Sequence, residues 1–359
     1  METIAWLGFS QSLFAAIIMI SKKSRSIPDK ILAGWLSLLA IEFLTCGIDY
    51  SVFGYPLLSS SFLLFNPAFY LYVTSLVNKS YSPKWIQLPH LIPFLFFEVF
   101  AYVMHEPYAM NTFLEMDSLF WFRTAFSVAS IASWIAYNYA SAVTIFRHRN
   151  SLLNEYSTIE SNKKLTWLVF IVVFYNLYCL VLVLTSLLSI LLKIEFPLSP
   201  IYNYSALLLL VYILGFYGLK QQAIYPKAPF TQVNERYSKS VLTAERKNLI
   251  KSKITDFFKS KKPYLNPDFN METLSNTIGY PKYQITEVLN VDIGKNFFRF
   301  VNEFRVEEVK KQLRNAKNQY SIEAIGYECG FSSKSSFFTV FKKITGFTPQ
   351  EYRNTNLQR

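Results

Sequence analysis

Residues 330–353, GFSSKSSFFTVFKKITGFTPQEYR, decide the fold of the C-terminal third, and they follow the short apolar segment IEAIGYEC at 322–329. Ser321 stands where a helix N-cap belongs, and Gly330-Phe331 supplies a tight turn before the next helix. The next helix has an apolar side and an opposite polar side: Phe337, Phe341 and Ile344 against Ser335, Thr339 and Lys342. The pattern predicts two helices packed across a turn, with one polar face left free.

A similar unit lies about fifty residues earlier. Asn270 is the expected N-cap of a short helix ending at Ile278, Gly279-Tyr280 forms the turn, and Pro281 starts the next helix. That helix again has two faces: Ile285, Val288 and Leu289 against Tyr283, Thr286, Glu287 and Asn290. A long helix at about 296–315 joins the two units. Two such units in tandem predict paired helix-turn-helix motifs, each with a recognition helix for the major groove of DNA.

Residues 240–354 resemble the DNA-binding domain of AraC-type transcription regulators. Three motifs carry the resemblance: LSNTIGY at 274–280, KNFFRFVNEFRVEEVKKQL at 295–313 and IEAIGYECGFSSKSSFFTVFKKITGFTPQEYR at 322–353. In that family the exposed side of each recognition helix touches bases. Carried over by position, the resemblance implies six base-contacting residues: Tyr283, Thr286, Glu287, Lys334, Ser335 and Thr339. Glu287 departs from the pattern, because many members have a basic or neutral polar residue at this position. A carboxylate can accept a hydrogen bond from cytosine but repels phosphate, so this helix is expected to contribute less affinity.

Lys342, Lys343 and Arg353 are expected to touch phosphate groups, which would give salt-dependent affinity without sequence preference. The alternative for each is a solvated surface charge. Residues 224–359 carry 23 Lys/Arg against 13 Asp/Glu, whereas residues 1–223 carry 13 against 11. This basic C-terminal third fits double-stranded DNA as a partner, although anionic lipid would attract it equally. A homodimer is a further expectation, because direct-repeat sites often take two such modules.

Seven apolar stretches before residue 224 are long enough, or nearly so, to cross about 30 Å of hydrocarbon. They lie at about 3–21, 31–53, 61–78, 86–104, 119–146, 165–192 and 200–222. The alternative is that some are buried core helices, but residues 177–192 run without a charge. The predicted fold is all-α: a seven-helix transmembrane bundle (1–223), a linker (224–245), the tandem helix-turn-helix domain (246–354) and a tail (355–359).

The loops between these stretches predict the orientation. Odd-numbered loops hold ten basic residues: Lys22, Lys23, Arg25, Lys30, Lys79, Lys84, Arg147, Arg149, Lys163 and Lys164. Even-numbered loops hold only Lys193. The positive-inside rule then places the N-terminus outside and the C-terminal domain in the cytoplasm, in a multi-pass protein of the cytoplasmic (inner) membrane.

Ionisable and polar residues inside spanning segments are costly and usually face the bundle interior. Five of them are expected in the outer half of the bundle: Asp49, Asn66, Glu98, Arg123 and Asn203. Arg123 is expected to pair with Asp49 or Glu98. One hypothesis is a ligand pocket that opens outward and takes a small-molecule or peptide signal. The alternative is a structural ion pair, or side chains that reach the interface.

The sequence holds no pattern typical of an enzyme. There is no phosphate-binding glycine loop, and the three cysteines (Cys46, Cys179 and Cys329) have no metal-ligand spacing. We therefore expect no catalytic residue, no metal and no cofactor. The leading hypothesis is a membrane-embedded regulator that senses a signal and binds DNA. The alternatives are a transporter or lipid-acting protein with an appended regulatory domain, and a passively anchored DNA-binding protein.

Overall fold

The computed structural model describes residues 1–23, 25–78, 81–82, 85–107, 116–158, 166–192, 200–220, 242–315 and 319–357. Within these ranges the chain is all-helical, and its only extended pairing consists of two isolated bridges. Most of the predicted linker, residues 224–241, lies outside the described residues, as do residues 358–359 of the predicted tail. Five of the lysines that predict the orientation also lie outside them: Lys79, Lys84, Lys163, Lys164 and Lys193.

The chain divides into two compact units. The first contains residues 1–147 and 165–229, and the second contains residues 148–164 and 230–359. The second unit is therefore built from two separate pieces of sequence. Its smaller piece begins inside a long helix of the N-terminal region, which a single cut in the sequence near residue 223 does not reveal.

The helices of the N-terminal region coincide with the seven predicted apolar stretches. They are α1 (Glu2–Ser21), α2 (Ile27–Phe53), α3 (Phe62–Val77), α4 (Leu91–Met104), α5 (Phe120–Glu155), α6 (Thr166–Leu192) and α7 (Pro200–Lys220). Among the described residues, four helices are long and apolar enough to cross a membrane: Glu2–Ser21, Ile27–Phe53, Gln87–Met104 and Ile201–Lys220. The longest helix, α5, is not among them, because serine, asparagine and other polar residues interrupt its apolar runs.

The core of the first unit forms mainly where α1, α2 and α7 pack together. Met19, Leu32 and Leu214 are completely buried there. Gly218 permits a close approach, because a Cβ at that position would collide with the side chain of Leu32. Other large apolar side chains of the same helices point away from the core, such as Phe14, which is 61% exposed. Exposed apolar faces of this kind are typical of helices that contact lipid or a partner.

The polar residues predicted to line a ligand pocket have protein partners in the first unit. The Asp49 carboxylate accepts hydrogen bonds from the Leu57 backbone N–H and the Tyr102 hydroxyl, both at 3.1 Å. The Glu98 carboxylate accepts from the Ser60 backbone N–H at 2.7 Å. Asn66 donates to the Ser133 hydroxyl at 3.1 Å. These bonds tie neighbouring helices and loops to each other, as structural polar groups do.

Arg123 has different partners from those expected from the sequence. Its guanidinium pairs with Glu106 at 3.0 Å and with Asp117. Arg123 and Glu106 are both almost completely buried, whereas Asp117 is half exposed. These ion pairs connect the start of α5 to residues that precede it, because Arg123 lies in the first turn of α5 and both acids come before that helix. The contacts favour the structural ion pair over the ligand pocket for this residue.

Seven further helices lie among the described residues of the second unit's larger piece. They are α8 (Ala244–Lys261), α9 (Met271–Ile278), α10 (Lys282–Glu287), α11 (Phe297–Arg314), α12 (Ile322–Glu328), α13 (Lys334–Thr345) and α14 (Pro349–Leu357). A π-helical segment, Val288–Asp292, extends α10. The predicted helix positions in this region are confirmed to within a few residues.

Candidate nucleic-acid interface

The second unit has two small apolar cores, and α11 contributes to both. Phe297, Phe300 and Val301, in its first half, pack with α8, α9 and α10. Val306 and Val309, in its second half, pack with α12, α13 and α14. Each core supports one pair of helices across a turn, α9 with α10 and α12 with α13. One continuous helix therefore holds both helix-turn-helix motifs.

The first motif folds as its local sequence predicts. Asn270 caps α9, and its side chain accepts a hydrogen bond from the Thr273 backbone N–H at 3.1 Å. Gly279 ends α9 in the left-handed conformation, with a φ of 76°. Ile285, Val288 and Leu289 are completely buried, which confirms the predicted apolar face of the recognition helix.

The outer face of the first recognition helix is only partly as predicted. Tyr283 is 63% exposed and Thr286 is half-buried. Glu287 is only 5% exposed, and its carboxylate pairs with Lys247 of α8 at 3.0 Å. The expectation that Glu287 faces outward is wrong, because α8 packs against that side of the helix. Its carboxylate instead fastens α8 to α10.

The second motif has the predicted cap at Ser321, and a further cap at Ser333. Ser321 caps α12 by accepting from the Ala324 backbone N–H at 3.1 Å, and Ser333 caps α13 in the same way through Ser336 at 3.2 Å. Phe337 and Phe341 are buried as expected. Ile344 is not, since it is 36% exposed near the end of α13. The apolar face of this recognition helix is therefore shorter than the sequence suggests.

The predicted DNA-contacting residues of α13 lie together on its free face. All five are exposed: Lys334, Ser335, Thr339, Lys342 and Lys343. Lys334 forms a salt bridge with Glu323 of α12, and this partner raises the pKa of Lys334. Arg353, on α14, is half-buried. The helix thus presents short polar groups next to two lysines, an arrangement that suits base edges beside a phosphate backbone.

Arg305 is a structural residue that the sequence analysis did not identify. It lies in α11 with no exposed surface, between the part of the helix that serves the first core and the part that serves the second. Its guanidinium donates to the backbone oxygens of Tyr264 at 2.7 Å and Asn266 at 3.0 Å, and it lies 5.8 Å from the ring of Phe331. Burial lowers the pKa of Arg305 to about 10, so the group remains charged at neutral pH.

One sequence signal would have revealed this arginine. Val301, Arg305 and Val309 recur at intervals of four residues, so Arg305 falls on the apolar stripe of α11. A charged residue on such a stripe must find hydrogen-bond partners inside the fold. Here the backbone acceptors, Tyr264 and Asn266, belong to the first half of the domain and the ring of Phe331 belongs to the second, so Arg305 contacts both halves.

Comparison with known proteins agrees with this geometry. Residues 274–355 match the family model described as a helix-turn-helix domain. An uncharacterized helix-turn-helix-type transcriptional regulator of Pseudoalteromonas carrageenovora is 30% identical over 92 residues, which are 26% of this chain and 52% of that protein. A second such regulator, from Staphylococcus aureus strain COL, is 30% identical over 90 residues, 25% of this chain and 12% of that one.

A solved structure of a Listeria innocua protein of unknown function aligns over 30% of this chain and 96% of that chain, with 22% identity and a TM-score of 0.26. The chain covers about half of the first curated relative and a small part of the second. The family match concerns the C-terminal domain. Residues 274–355 form a helix-turn-helix domain of the kind found in transcriptional regulators.

Proposed function

We propose that this chain is a membrane-embedded, one-component transcriptional regulator that binds a specific DNA sequence in the cytoplasm, without catalysis, in response to a signal sensed by its transmembrane domain. The observation that carries the proposal is the tandem helix-turn-helix domain, in which the free face of α13 presents Ser335 and Thr339 beside Lys342 and Lys343. Short polar groups read base edges, and lysines next to them bind phosphates.

Two observations support the membrane part of the proposal. Four helices of the N-terminal region are long and apolar enough to cross a bilayer. In addition, residues 148–158, which belong to a loop predicted to face the cytoplasm, pack within the same compact unit as the helix-turn-helix domain. Residues 148–158 and the helix-turn-helix domain must then lie on the same side of the membrane. This agrees with the orientation that the loop charges predict.

The signal is proposed to be a small molecule or a peptide that acts on the transmembrane domain. Asp49, Asn66, Glu98 and Arg123 remain the residues proposed to meet it, although their present partners are protein groups. A ligand that reached these residues would replace hydrogen bonds between segments of the domain. Such an exchange would change how those segments are held together, which is what a sensor requires.

The orientation is tested with a protease-sensitive tag after Arg359 in intact cells. We expect the tag to resist protease added outside and to be cleaved only after the cells are opened, because the positive-inside rule places the C-terminal domain in the cytoplasm. A tag in the outward loop between α4 and α5, at residues 108–115, is the matched control and is expected to be cleaved from outside. Cleavage of the C-terminal tag in intact cells would end the proposal, because the domain would not reach a chromosome.

Two substitutions on α13 test the proposed base contacts and phosphate contacts independently. We expect Thr339→Ala to weaken binding to the preferred duplex by about 1–3 kcal/mol while leaving binding to unrelated DNA unchanged. Lys343→Ala should weaken both kinds of binding and reduce the salt dependence by about one ion. Titrations with a duplex selected from a random library, at several salt concentrations, measure both effects. The assignment is wrong if Thr339→Ala lowers the affinity for all duplexes equally.

A further inference from the structure

Residues 148–158 contain the end of α5 and the residues that follow it toward α6. They nevertheless pack with the helix-turn-helix domain. We call these residues the docking segment. It contains the last turns of α5, up to Glu155, followed by Tyr156, Ser157 and Thr158. Its neighbours in the sequence, residues up to 147 and from 165 onward, belong to the first unit. The segment is therefore covalently joined at both ends to the transmembrane part of the chain.

One end of the docking segment binds around Arg305. The guanidinium donates to the Ser157 backbone oxygen and the Thr158 hydroxyl, both at 3.0 Å, and to the Ser157 hydroxyl at 3.1 Å. Asn302 also donates to the Ser157 backbone oxygen at 3.0 Å. The segment thus supplies half of the acceptors of a completely buried cation. Such contacts are specific, because each donor of a buried guanidinium needs an acceptor in a fixed direction.

The other end of the docking segment lies against the first recognition helix. Glu155 pairs with Lys282 at 3.5 Å, and Asn290 donates to the Asn154 side chain at 3.5 Å. Lys282 and Asn290 are eight residues apart, two turns of the helix, with Thr286 midway between them. The segment therefore follows the side of the recognition helix that includes a proposed base-contacting residue.

DNA would compete for this side of the helix. A duplex carries one phosphate charge for about every 1.7 Å of its axis, so a recognition helix in the groove is flanked by negative charge. In the docked state Lys282 is already paired, and the Glu155 carboxylate adds a negative charge where a phosphate would approach. Both effects oppose binding by the first motif. The second motif, with α13, makes none of these contacts among those described for the segment.

We infer that the docking segment is an intrachain inhibitor that holds the first recognition helix away from DNA until the segment leaves. The inference rests on the proposed DNA binding and names its regulation. Release needs no new covalent chemistry, since the segment is held by hydrogen bonds and one ion pair. A change in the helices that continue from either end would pull on it directly.

The first test locks the segment in place. The full-length Asn154→Cys/Asn290→Cys chain is studied in detergent with a duplex selected from a random library. We expect a disulfide to form under oxidation and to weaken binding about tenfold or more, with recovery on reduction, a size typical of coupling between sites. The Asn290→Cys chain is the control, and oxidation should not change its binding. The three native cysteines are buried, so they do not compete for the new thiols.

The second test loosens the segment without changing any charge or any recognition helix. Ser157→Ala/Thr158→Ala removes both hydroxyl acceptors described for Arg305, and with them the hydrogen bond from the Ser157 hydroxyl to the Phe269 backbone oxygen, so we expect binding to become about five- to tenfold tighter. Thr255→Ala/Ser260→Ala is the matched control, because those hydroxyls are exposed and bond only to the backbone of their own helix. The control should bind like the unaltered chain.

Three results overturn the inference: no disulfide in the first variant, equal or tighter binding when it is locked, or unchanged or weaker binding by Ser157→Ala/Thr158→Ala. In the first two cases the segment either does not dock or does not inhibit. In the third case the segment stabilises Arg305 but does not inhibit DNA binding. The selection is carried out with the unaltered chain and with the alanine variant. If neither yields a preferred duplex, the proposed DNA binding fails instead, which is a distinguishable outcome.

Discussion

Gly330→Ala is expected to unfold the second helix-turn-helix motif. Gly330 has a φ of 92°, a left-handed conformation that costs about 1–2 kcal/mol for a residue with a Cβ. A Cβ there would also press into the backbone oxygen of Tyr264 and lie 3.0 Å from the Nε of Arg305. Overpacking against fixed groups adds about 1–3 kcal/mol. We therefore expect a loss of about 3 kcal/mol or more, measured by hydrogen exchange of α12 and α13 in the full-length chain.

Two other glycines of the domain separate the conformational effect from the collision. Gly279 and Gly346 have φ values of 76° and 81°, and a Cβ at either position would meet nothing within 4 Å. Gly279→Ala and Gly346→Ala should therefore lose only the conformational part, about 1–2 kcal/mol. If Gly330→Ala is no more destabilising than these two variants, the turn between α12 and α13 does not pack closely against Tyr264 and Arg305.

The sequence was a good guide where structure depends on near neighbours. The caps at Asn270 and Ser321 and the turn at Gly279 were predictable because each depends on a few adjacent residues. The buried sides of both recognition helices followed from helical periodicity, as Ile285 and Phe337 illustrate. The free face of α13 was predictable for the same reason, and with it most of the proposed interface.

The features that sequence reasoning missed depend on distant parts of the chain. Glu287 has the right spacing for an outward residue, but Lys247 of α8 lies beside it. Arg123 finds Glu106 and Asp117, which no periodicity connects to it. The docking segment belongs to a predicted loop about ninety residues before the domain it packs with. No local pattern shows that a loop will leave one unit for another.

The prediction of seven membrane spans stays a prediction. Seven apolar stretches correspond to seven helices, and four of the described helices are long and apolar enough to cross a bilayer. Apolar runs alone do not separate the two classes, because they are common to spanning helices and to helices buried by their neighbours. α3 illustrates this, since its 16 residues are short for a span and many of them are buried.

Arg305→Met is expected to separate the two halves of the helix-turn-helix domain. Methionine has a similar volume but no donors, so the backbone oxygen of Tyr264 loses the hydrogen bond from Arg305, whereas that of Asn266 still accepts from the Phe269 backbone N–H at 3.2 Å. A buried acceptor without its hydrogen bond costs about 1–3 kcal/mol, and the ring of Phe331 also loses the neighbouring cation. We expect a loss of about 1–3 kcal/mol in the stability of residues 244–354.

Arg299→Met is the matched control for this prediction. Arg299 lies in the same helix, its side chain is 64% exposed, and its ion pair with Glu303 is at the surface, where such pairs contribute little. Arg305→Lys should rescue only part of the loss, since a single ammonium cannot reach the oxygens of Tyr264 and Asn266 together as the forked guanidinium does. Hydrogen exchange measures the stability of each variant, and its affinity for the preferred duplex measures DNA binding.

Arg305→Met should reduce specific DNA binding by the whole domain more than it reduces the stability of either motif. Each motif keeps its own apolar core, so each recognition helix can still form. What is lost is the fixed spacing between the two recognition helices, on which simultaneous contact with one duplex depends. We therefore expect the preferred duplex and unrelated DNA to bind equally, a loss of specificity that release of the docking segment from Arg305 would not by itself produce. Retention of full specificity would mean that α11 alone sets the spacing and that Arg305 is not its clamp.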